Sequence, residues 1–125
     1  MNLTEAEWTL MEQLWTAGRA TGRELTQRMQ AETGWTRSTT LTLLRRLQEK
    51  GAVQSETKNG KNVYSPAVSR EQAALKQTHD LLRRVYQGSL SRLVTAMTHE
   101  EQLSQREIDE LYAILDEMEA KRQHD

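Results

Sequence analysis

The sequence has no cysteine, a single proline and no long apolar run. Without cysteine, disulfides, thiolate metal sites and thiol redox sensing are excluded. No stretch approaches the roughly 18 consecutive apolar residues of a membrane span, and residues 1–8 lack the basic and apolar regions of a signal peptide. We therefore expect a cytoplasmic protein with no membrane insertion.

Signatures of catalysis are missing as well. His79, His99 and His124 are scattered along the sequence, and no glycine-rich loop of the phosphate-binding kind is present. A hydrolase would need a nucleophile beside a base, and no such pairing stands out. We therefore predict that the protein is not an enzyme and that it uses no cofactor and no metal.

Charge is distributed unevenly along the chain. The net charge is only −1, but the segment from Trp35 to Tyr64 has six Lys and Arg residues against two glutamates. Such an excess of cations is expected where a protein contacts phosphates, although an ordinary solvated surface can carry the same excess. The charge alone leaves both interpretations open.

Capping-box patterns predict the first two helices. In Thr4–Glu7 and again in Thr21–Glu24, a threonine and the glutamate three residues later can satisfy each other's backbone amides at a helix start. Apolar residues at helical spacing then extend these helices to about Ala17 and about Thr33, and a glycine follows each of them.

A basic helix and a hairpin come next. Thr36 is a candidate N-cap and Gly51 the matching end. Within this helix one buried stripe is formed by Thr40, Leu43, Leu44 and Leu47. Two strand-like runs, 52–57 and 62–65, are then joined through Asn59-Gly60, a pair that suits the two positive φ angles of a tight turn. A short connection between the second and third helices followed by a hairpin indicates a winged helix-turn-helix.

The second half of the chain is predicted to be wholly helical. Ser69–Gln72 and Ser104–Glu107 are further capping signals, and Gly88 interrupts the apolar pattern between them. Apolar helical faces without an obvious partner in the chain are buried most simply against a second copy of the same chain. This pattern predicts a homodimer. The alternative is that these helices fold back on the first half and make a monomer.

With these residues placed, the sequence resembles the BlaI/MecI penicillinase-repressor family, which also includes the copper-responsive CopY repressors. The resemblance lies in four segments: LTEAEWTLMEQLW at 3–15, WTRSTTLTLLRRLQEKG at 35–51, VYQGSLSRLV at 85–94 and LSQREIDELYAIL at 103–115. It implies a winged-helix N-terminal domain, a helical dimerisation arm and repression by dimers bound to palindromic operators with TACA and TGTA half-sites.

The sequence departs from the family pattern in two places. Penicillin-responsive members are cut at an Asn-Phe bond in the dimerisation arm by the protease domain of a membrane sensor, whereas this chain has Ala96-Met97 there. Copper-responsive members carry a cysteine cluster near the C-terminus, which is absent here, so copper release through thiolates is ruled out. The first departure leaves two alternatives open: repression by this chain is not released by that protease, or a regulatory protease is a partner that acts at another bond.

Together these observations predict a mainly α protein, with a winged helix-turn-helix domain (three helices plus a small β-wing) at 1–68 and a helical dimerisation arm at 69–125. The predicted partner is double-stranded operator DNA. The predicted DNA contacts are Arg37, Ser38, Thr39, Leu41, Thr42, Arg45, Arg46, Lys58 and Lys61. The predicted dimer contacts are Leu75, Leu81, Leu82, Val85, Tyr86, Leu90, Leu93, Val94, Ile108, Leu111, Ile114 and Leu115.

Leu41 has a distinct predicted role. It lies outside the buried stripe and among residues of the exposed side, where a leucine can contact thymine methyl groups. Two other functions stay open at this point: a winged helix used for protein association without DNA, and a regulator that senses a small molecule or a metal.

Overall fold

A computed structural model describes residues 2–100 and 102–124. Its elements, in chain order, are α1 (Glu5–Ala17), β1 (Ala20–Thr21), α2 (Gly22–Thr33), α3 (Arg37–Glu49), β2 (Val53–Lys58), β3 (Lys61–Pro66), α4 (Arg70–Tyr86), α5 (Leu90–Glu100) and α6 (Gln105–His124). Three helices with a small sheet, followed by further helices, confirm the predicted fold class. None of the described helices has the length and apolar character needed to cross a membrane.

The helix starts are fixed by the predicted capping boxes. The Glu7 amide donates to Thr4 Oγ1 at 3.1 Å, and the Thr4 amide donates to Glu7 Oε1 at 2.9 Å. Thr21 and Glu24 repeat this exchange at the start of α2. At α4 the Ser69 amide donates to the glutamine that closes the box, at 3.0 Å. Local sequence therefore determines where these three helices begin.

The core of the first unit lies between α1, α2 and α3. Apolar side chains at helical spacing meet there and leave no accessible surface on Leu10, Met11, Leu14, Leu25, Met29 and Leu47. The predicted stripe of α3 is confirmed, since all four of its residues are buried. This packing directs the opposite face of α3 outward.

Thr40 is an exception within that stripe, and it supports a stability prediction. Its side chain is completely buried, and among the described residues its hydroxyl has no hydrogen-bond partner. A hydroxyl that is buried without a hydrogen-bond partner loses its hydration, and no new hydrogen bond compensates for this loss. Thr40→Val is therefore expected to raise the free energy of unfolding by about 1 kcal/mol, measured by chemical denaturation.

The matched control for this prediction is Thr42→Val on the same helix. Thr42 is only half-buried, so its hydroxyl reaches solvent and its removal should give no comparable gain. An equal effect of both substitutions would show that the hydroxyl of Thr40 carries no penalty.

The sheet has three antiparallel strands in the order β1-β3-β2. The predicted hairpin is present, with Lys58 paired to Lys61 beside the turn and positive φ angles of 52° at Asn59 and 74° at Gly60. Its strands run 53–58 and 61–66, within one residue of the predicted limits. The two-residue β1 was not predicted; it pairs Thr21 with Val63 and so attaches the start of α2 to the wing.

The start of α4 packs on α1. The Arg70 guanidinium lies over the Trp8 ring at 5.6 Å from its centroid and forms an ion pair with Glu12 at 2.7 Å. Trp15 Nε1 donates to the Val68 carbonyl at 2.9 Å. Because of these contacts, the compact units divide within α4, after residue 80, rather than at residue 68. The functional boundary at residue 68 stays a prediction.

The second unit, from residue 81 on, leaves much apolar surface exposed. None of the described residues of α5 or α6 is buried. Its exposed large apolar side chains are Leu81, Val85, Leu90, Val94, Met97, Leu111, Tyr112, Ile114, Leu115 and Met118. Exposed apolar side chains that cluster in this way commonly mark an interaction surface.

Candidate nucleic-acid interface

The outward face of α3 carries the predicted DNA-contacting side chains. Successive residues of a helix are turned by about 100°, so Ser38, Thr42 and Arg45 project opposite to the buried stripe. These three side chains border one shallow concavity together with Arg37 and Leu41. The structure therefore brings five of the predicted residues to one surface.

The remaining predicted residues of α3 lie on another edge of that face. Arg46 is exposed and is turned by about 100° from Arg45, so it borders the face without lining the concavity. Thr39 is also on this edge, but its hydroxyl lies 3.1 Å from Thr36 Oγ1 and its amide donates to the same oxygen. Thr39 thus takes part in the helix cap, and its contact with DNA stays a prediction.

The tip of the wing carries two exposed lysines. Lys58 and Lys61 face each other across the hairpin beside the turn. Lys58 also forms an ion pair with Glu56 at 3.3 Å, and both partners are largely exposed. Exposed ion pairs of this kind contribute little to stability, and each charged group can readily bind another partner. Both lysines are therefore available to an external anion.

A second concavity, the wing cleft, lies between the wing and the helices α2 and α3. Its lining consists of Thr21, Gly22, Arg23, Arg37, Leu41, Lys61, Asn62 and Tyr64. Arg37 and Leu41 line both concavities, so the two form one continuous surface around the start of α3.

Leu41 is half-buried at the junction of the two concavities. A methyl group built at Gly22 would lie 3.9 Å from Leu41 Cδ2 and 3.5 Å from Tyr64 Cε2, which places these two side chains beside the start of α2. Leu41 also packs against the edge of the hydrophobic core. Its remaining surface faces the concavities, and the predicted contact with thymine methyl groups stays a prediction.

Lys50 does not belong to this surface, although its charge was counted in the basic segment. Its Nζ atom lies 2.6 Å from Glu7 Oε1 and 2.6 Å from the Asn2 carbonyl oxygen. Burial raises the pKa of Glu7, but the hydrogen bonds from Lys50 and Thr4 and the charge of Lys50 outweigh burial and hold the pKa below its ordinary value. The pair ties the end of α3 to the N-terminal segment, and no local sequence pattern indicates it.

Three polar residues of the wing cleft are not predictable from local sequence patterns. In the sequence, Arg23 stands inside a capping box, and Asn62 and Tyr64 stand in a strand-like run, so neither pattern indicates a cleft. They reach the cleft because β1 pairs with β3, and a two-residue strand has too short a pattern to be predicted. Within residues 2–100 and 102–124, no group of three or more histidines and carboxylates is arranged to hold a metal.

A short second helix, an outward-facing basic third helix and a hairpin wing together define a winged helix-turn-helix protein. The sequence profile of the penicillinase repressor family matches residues 3–117, and the chain belongs to this family. It is a family of transcriptional repressors rather than of enzymes. The resemblance found in the sequence is thereby confirmed.

Curated relatives match the chain over most of its length. The penicillinase repressor of Bacillus licheniformis is 30% identical over 115 residues, which cover 92% of this chain and 90% of that protein. The methicillin resistance regulatory protein MecI of Mammaliicoccus sciuri is 30% identical over 113 residues, which cover 90% of this chain and 92% of that protein. The similarity therefore includes the helical second half as well as the winged helix.

Solved structures of a DNA-binding domain and of a DNA complex each match slightly more than half of this chain. The DNA-binding domain of the repressor BlaI superposes with a TM-score of 0.52 and 25% identity, covering 55% of this chain and 84% of that one. The monomeric form of Bacillus licheniformis BlaI in complex with the blaP half-operator has a TM-score of 0.52 at 24% identity. This match covers 57% of this chain and 87% of that one. Both matches support the same winged-helix fold.

Proposed function

We propose that this family member represses transcription by binding palindromic operator DNA as a homodimer in the cytoplasm. The observation that carries the proposal is the outward face of α3, where Arg37, Ser38, Thr42 and Arg45 border one concavity. A helix with this arrangement fits the major groove of DNA. The relative BlaI, which shares the fold, was solved in complex with a half-operator. Repression then follows from occupancy of the operator, without any chemical step.

The position of each side chain on α3 supports a division of roles. Arg45, at the centre of the outward face, is suited to a guanine edge, with Ser38 and Thr42 beside it as hydrogen-bonding partners. Arg46 at the edge and the wing lysines are suited to backbone phosphates, which position the protein and carry no sequence information. Leu41 supplies the apolar contact for a thymine methyl group.

A homodimer is supported by the unburied apolar side chains of the second unit. In α6, Leu111, Ile114, Leu115 and Met118 recur at three- and four-residue spacing, and each is more than a third exposed. A second copy offers the same stripe and can cover it symmetrically. Two recognition helices would then enter successive major grooves about 34 Å apart.

A regulatory protease is a further proposed partner. The Ala96-Met97 bond, at the position where the family resemblance implies a cleavage site, lies inside α5. A protease needs an extended strand, so cleavage here would require α5 to unfold locally. The exposed side chain of Met97 alone does not make this bond accessible.

The direct test is an anisotropy titration of the full chain against DNA selected by that chain from a random pool. We expect Arg45→Ala to weaken binding by about 1 to 3 kcal/mol and to relax specificity at one base pair. Arg28→Ala is the matched control, because Arg28 is also exposed but contacts Gln13 on α1, and binding should be unchanged. Affinity of the wild type should fall by at least about 10³ between 50 and 200 mM salt if six or more phosphates are contacted.

Two results would contradict this proposal. A wild-type chain that binds no DNA at low salt would favour the protein-association function of a winged helix. An equal loss of DNA affinity in Arg45→Ala and Arg28→Ala would show that binding depends only on overall charge. The outward face of α3 would then not be the surface that reads the DNA sequence.

A further inference from the structure

The wing cleft carries more positive charge than its own side chains balance. Arg23, Arg37 and Lys61 line it, and no aspartate or glutamate is among the lining residues. In the part of the chain that the structure describes, none of these three cations forms an ion pair. Cations that share one cleft repel one another unless an anion lies between them. The cleft is therefore suited to an anion supplied by another molecule.

Backbone pairing, rather than flexible tails, brings these cations together. Thr21 pairs with Val63, so the chain that continues from Thr21 runs alongside the chain that precedes Val63. This register places Arg23 near the Lys61 end of β3. Arg37 is the first residue of α3 and comes from a third direction. Three elements thus present one positive charge each to the same space.

The cleft also has an apolar part. Leu41 and the Tyr64 ring are both half-buried and line it beside the cations. A nucleic-acid strand offers the complementary pair of groups, a charged phosphodiester next to a deoxyribose with an apolar face. Because Arg37 and Leu41 also line the concavity on α3, a strand bordering the groove entered by α3 would pass over the wing cleft.

We propose that the wing cleft holds one phosphodiester of the operator strand, with Arg23 and Lys61 on the phosphate and the Tyr64 ring against the sugar. The inference rests on the proposed function and extends it, because it adds Arg23 and Tyr64 to the residues that contact DNA. It also gives the two-residue β1 a role, since β1 fixes Arg23 relative to the wing.

The test couples a protein variant to a modified DNA. Each phosphodiester of the selected duplex is replaced in turn by a neutral methylphosphonate, and the affinities of the wild type, Arg23→Gln and Arg28→Gln are measured. We expect Arg23→Gln to weaken binding to specific and non-specific duplexes alike. The dependence of the binding constant on salt should become less steep, by about 1 per protomer in the slope of log K against log salt concentration. At one position per half-site, methylphosphonate should weaken binding by the wild type and by Arg28→Gln, and it should weaken binding by Arg23→Gln clearly less, because only Lys61 is left to contact that phosphate.

Several results would overturn the assignment. If Arg23→Gln responds to every methylphosphonate as the wild type does, Arg23 touches no phosphodiester, although DNA binding by the chain still stands. If that result comes with a melting temperature that inorganic phosphate raises in the wild type and not in Arg23→Gln, the cleft binds a free anion instead. Failure of the proposed function itself is distinguishable, because the wild type would then bind no duplex at all.

Discussion

Lys50→Met is expected to lower the free energy of unfolding by about 2 kcal/mol at neutral pH. The substitution removes the cation that neutralises Glu7, whose side chain is only 1% exposed. Removal of one partner from a fully buried pair costs about 3–5 kcal/mol, and the smaller value here reflects the 34% exposure of Lys50. Chemical denaturation of the wild type and the variant measures the difference.

The same pair predicts a dependence of stability on pH. The pKa of Glu7 is lowered in the folded chain from its ordinary value of 4.5. The folded state therefore binds a proton less readily than the unfolded state, and the contribution of Glu7 is fully present above the unfolded pKa. It is lost as the pH falls through the lowered pKa. Glu7→Gln, which cannot titrate, should lack this part of the acid-induced loss.

Two further variants decide whether the effect belongs to the pair. The double variant Glu7→Gln/Lys50→Met leaves no charge without a partner. Its free energy of unfolding should therefore fall by less than the sum of the decreases in the two single variants. Lys58→Met breaks only an exposed pair with Glu56 and should change the free energy of unfolding by less than about 1 kcal/mol. Strict additivity in the double variant would mean that Lys50 and Glu7 act independently.

Leu111→Glu/Leu115→Glu is expected to convert the proposed dimer into a monomer and to weaken binding to a two-half-site operator by about 100-fold or more. The two leucines are four residues apart on one face of α6 and are 37% and 55% exposed. Two half-sites bound by linked protomers gain an avidity of about 10² to 10⁴, which separate monomers lose. Sedimentation equilibrium gives the mass, and anisotropy with intact and half operators gives the affinities.

The control for this variant is Ala113→Glu, which adds a carboxylate to α6 two residues from each leucine and therefore on the opposite side of the helix. It should stay dimeric. The affinity of the monomeric variant for a single half-site should equal that of one wild-type protomer, because α3 and the wing are untouched. A leucine variant that keeps the dimer mass would exclude this face of α6 as the interface.

Features encoded by neighbouring residues were predictable from the sequence. Thr4 with Glu7 and Thr21 with Glu24 mark helix starts because the interacting groups are three residues apart. Asn59-Gly60 marks the hairpin because few other residue pairs accept two positive φ angles. The buried stripe of α3 is predictable from periodicity alone, and with it the direction in which the predicted DNA-contacting residues point.

Features that depend on long-range contacts were not predictable in this way. Lys50 meets Glu7 across 43 positions of sequence, so the charge balance of residues 35–64 includes a cation that the fold pairs elsewhere. Arg23 reaches the wing cleft only because β1 pairs with β3. Periodicity identifies the face of a side chain on its own helix, but it does not identify the neighbouring element. Both features concern the electrostatics of the surface rather than the fold.

The strand order β1-β3-β2 also bears on how the chain avoids self-aggregation. Among the described residues no strand pairs with the outer edge of β2, so its free backbone groups could template β-addition between molecules. After Val53 every residue of β2 is exposed and polar, and Glu56 and Lys58 place charges along that edge. Such charges disfavour edge-to-edge stacking. The wing can therefore project an open sheet edge into solvent without promoting fibre growth.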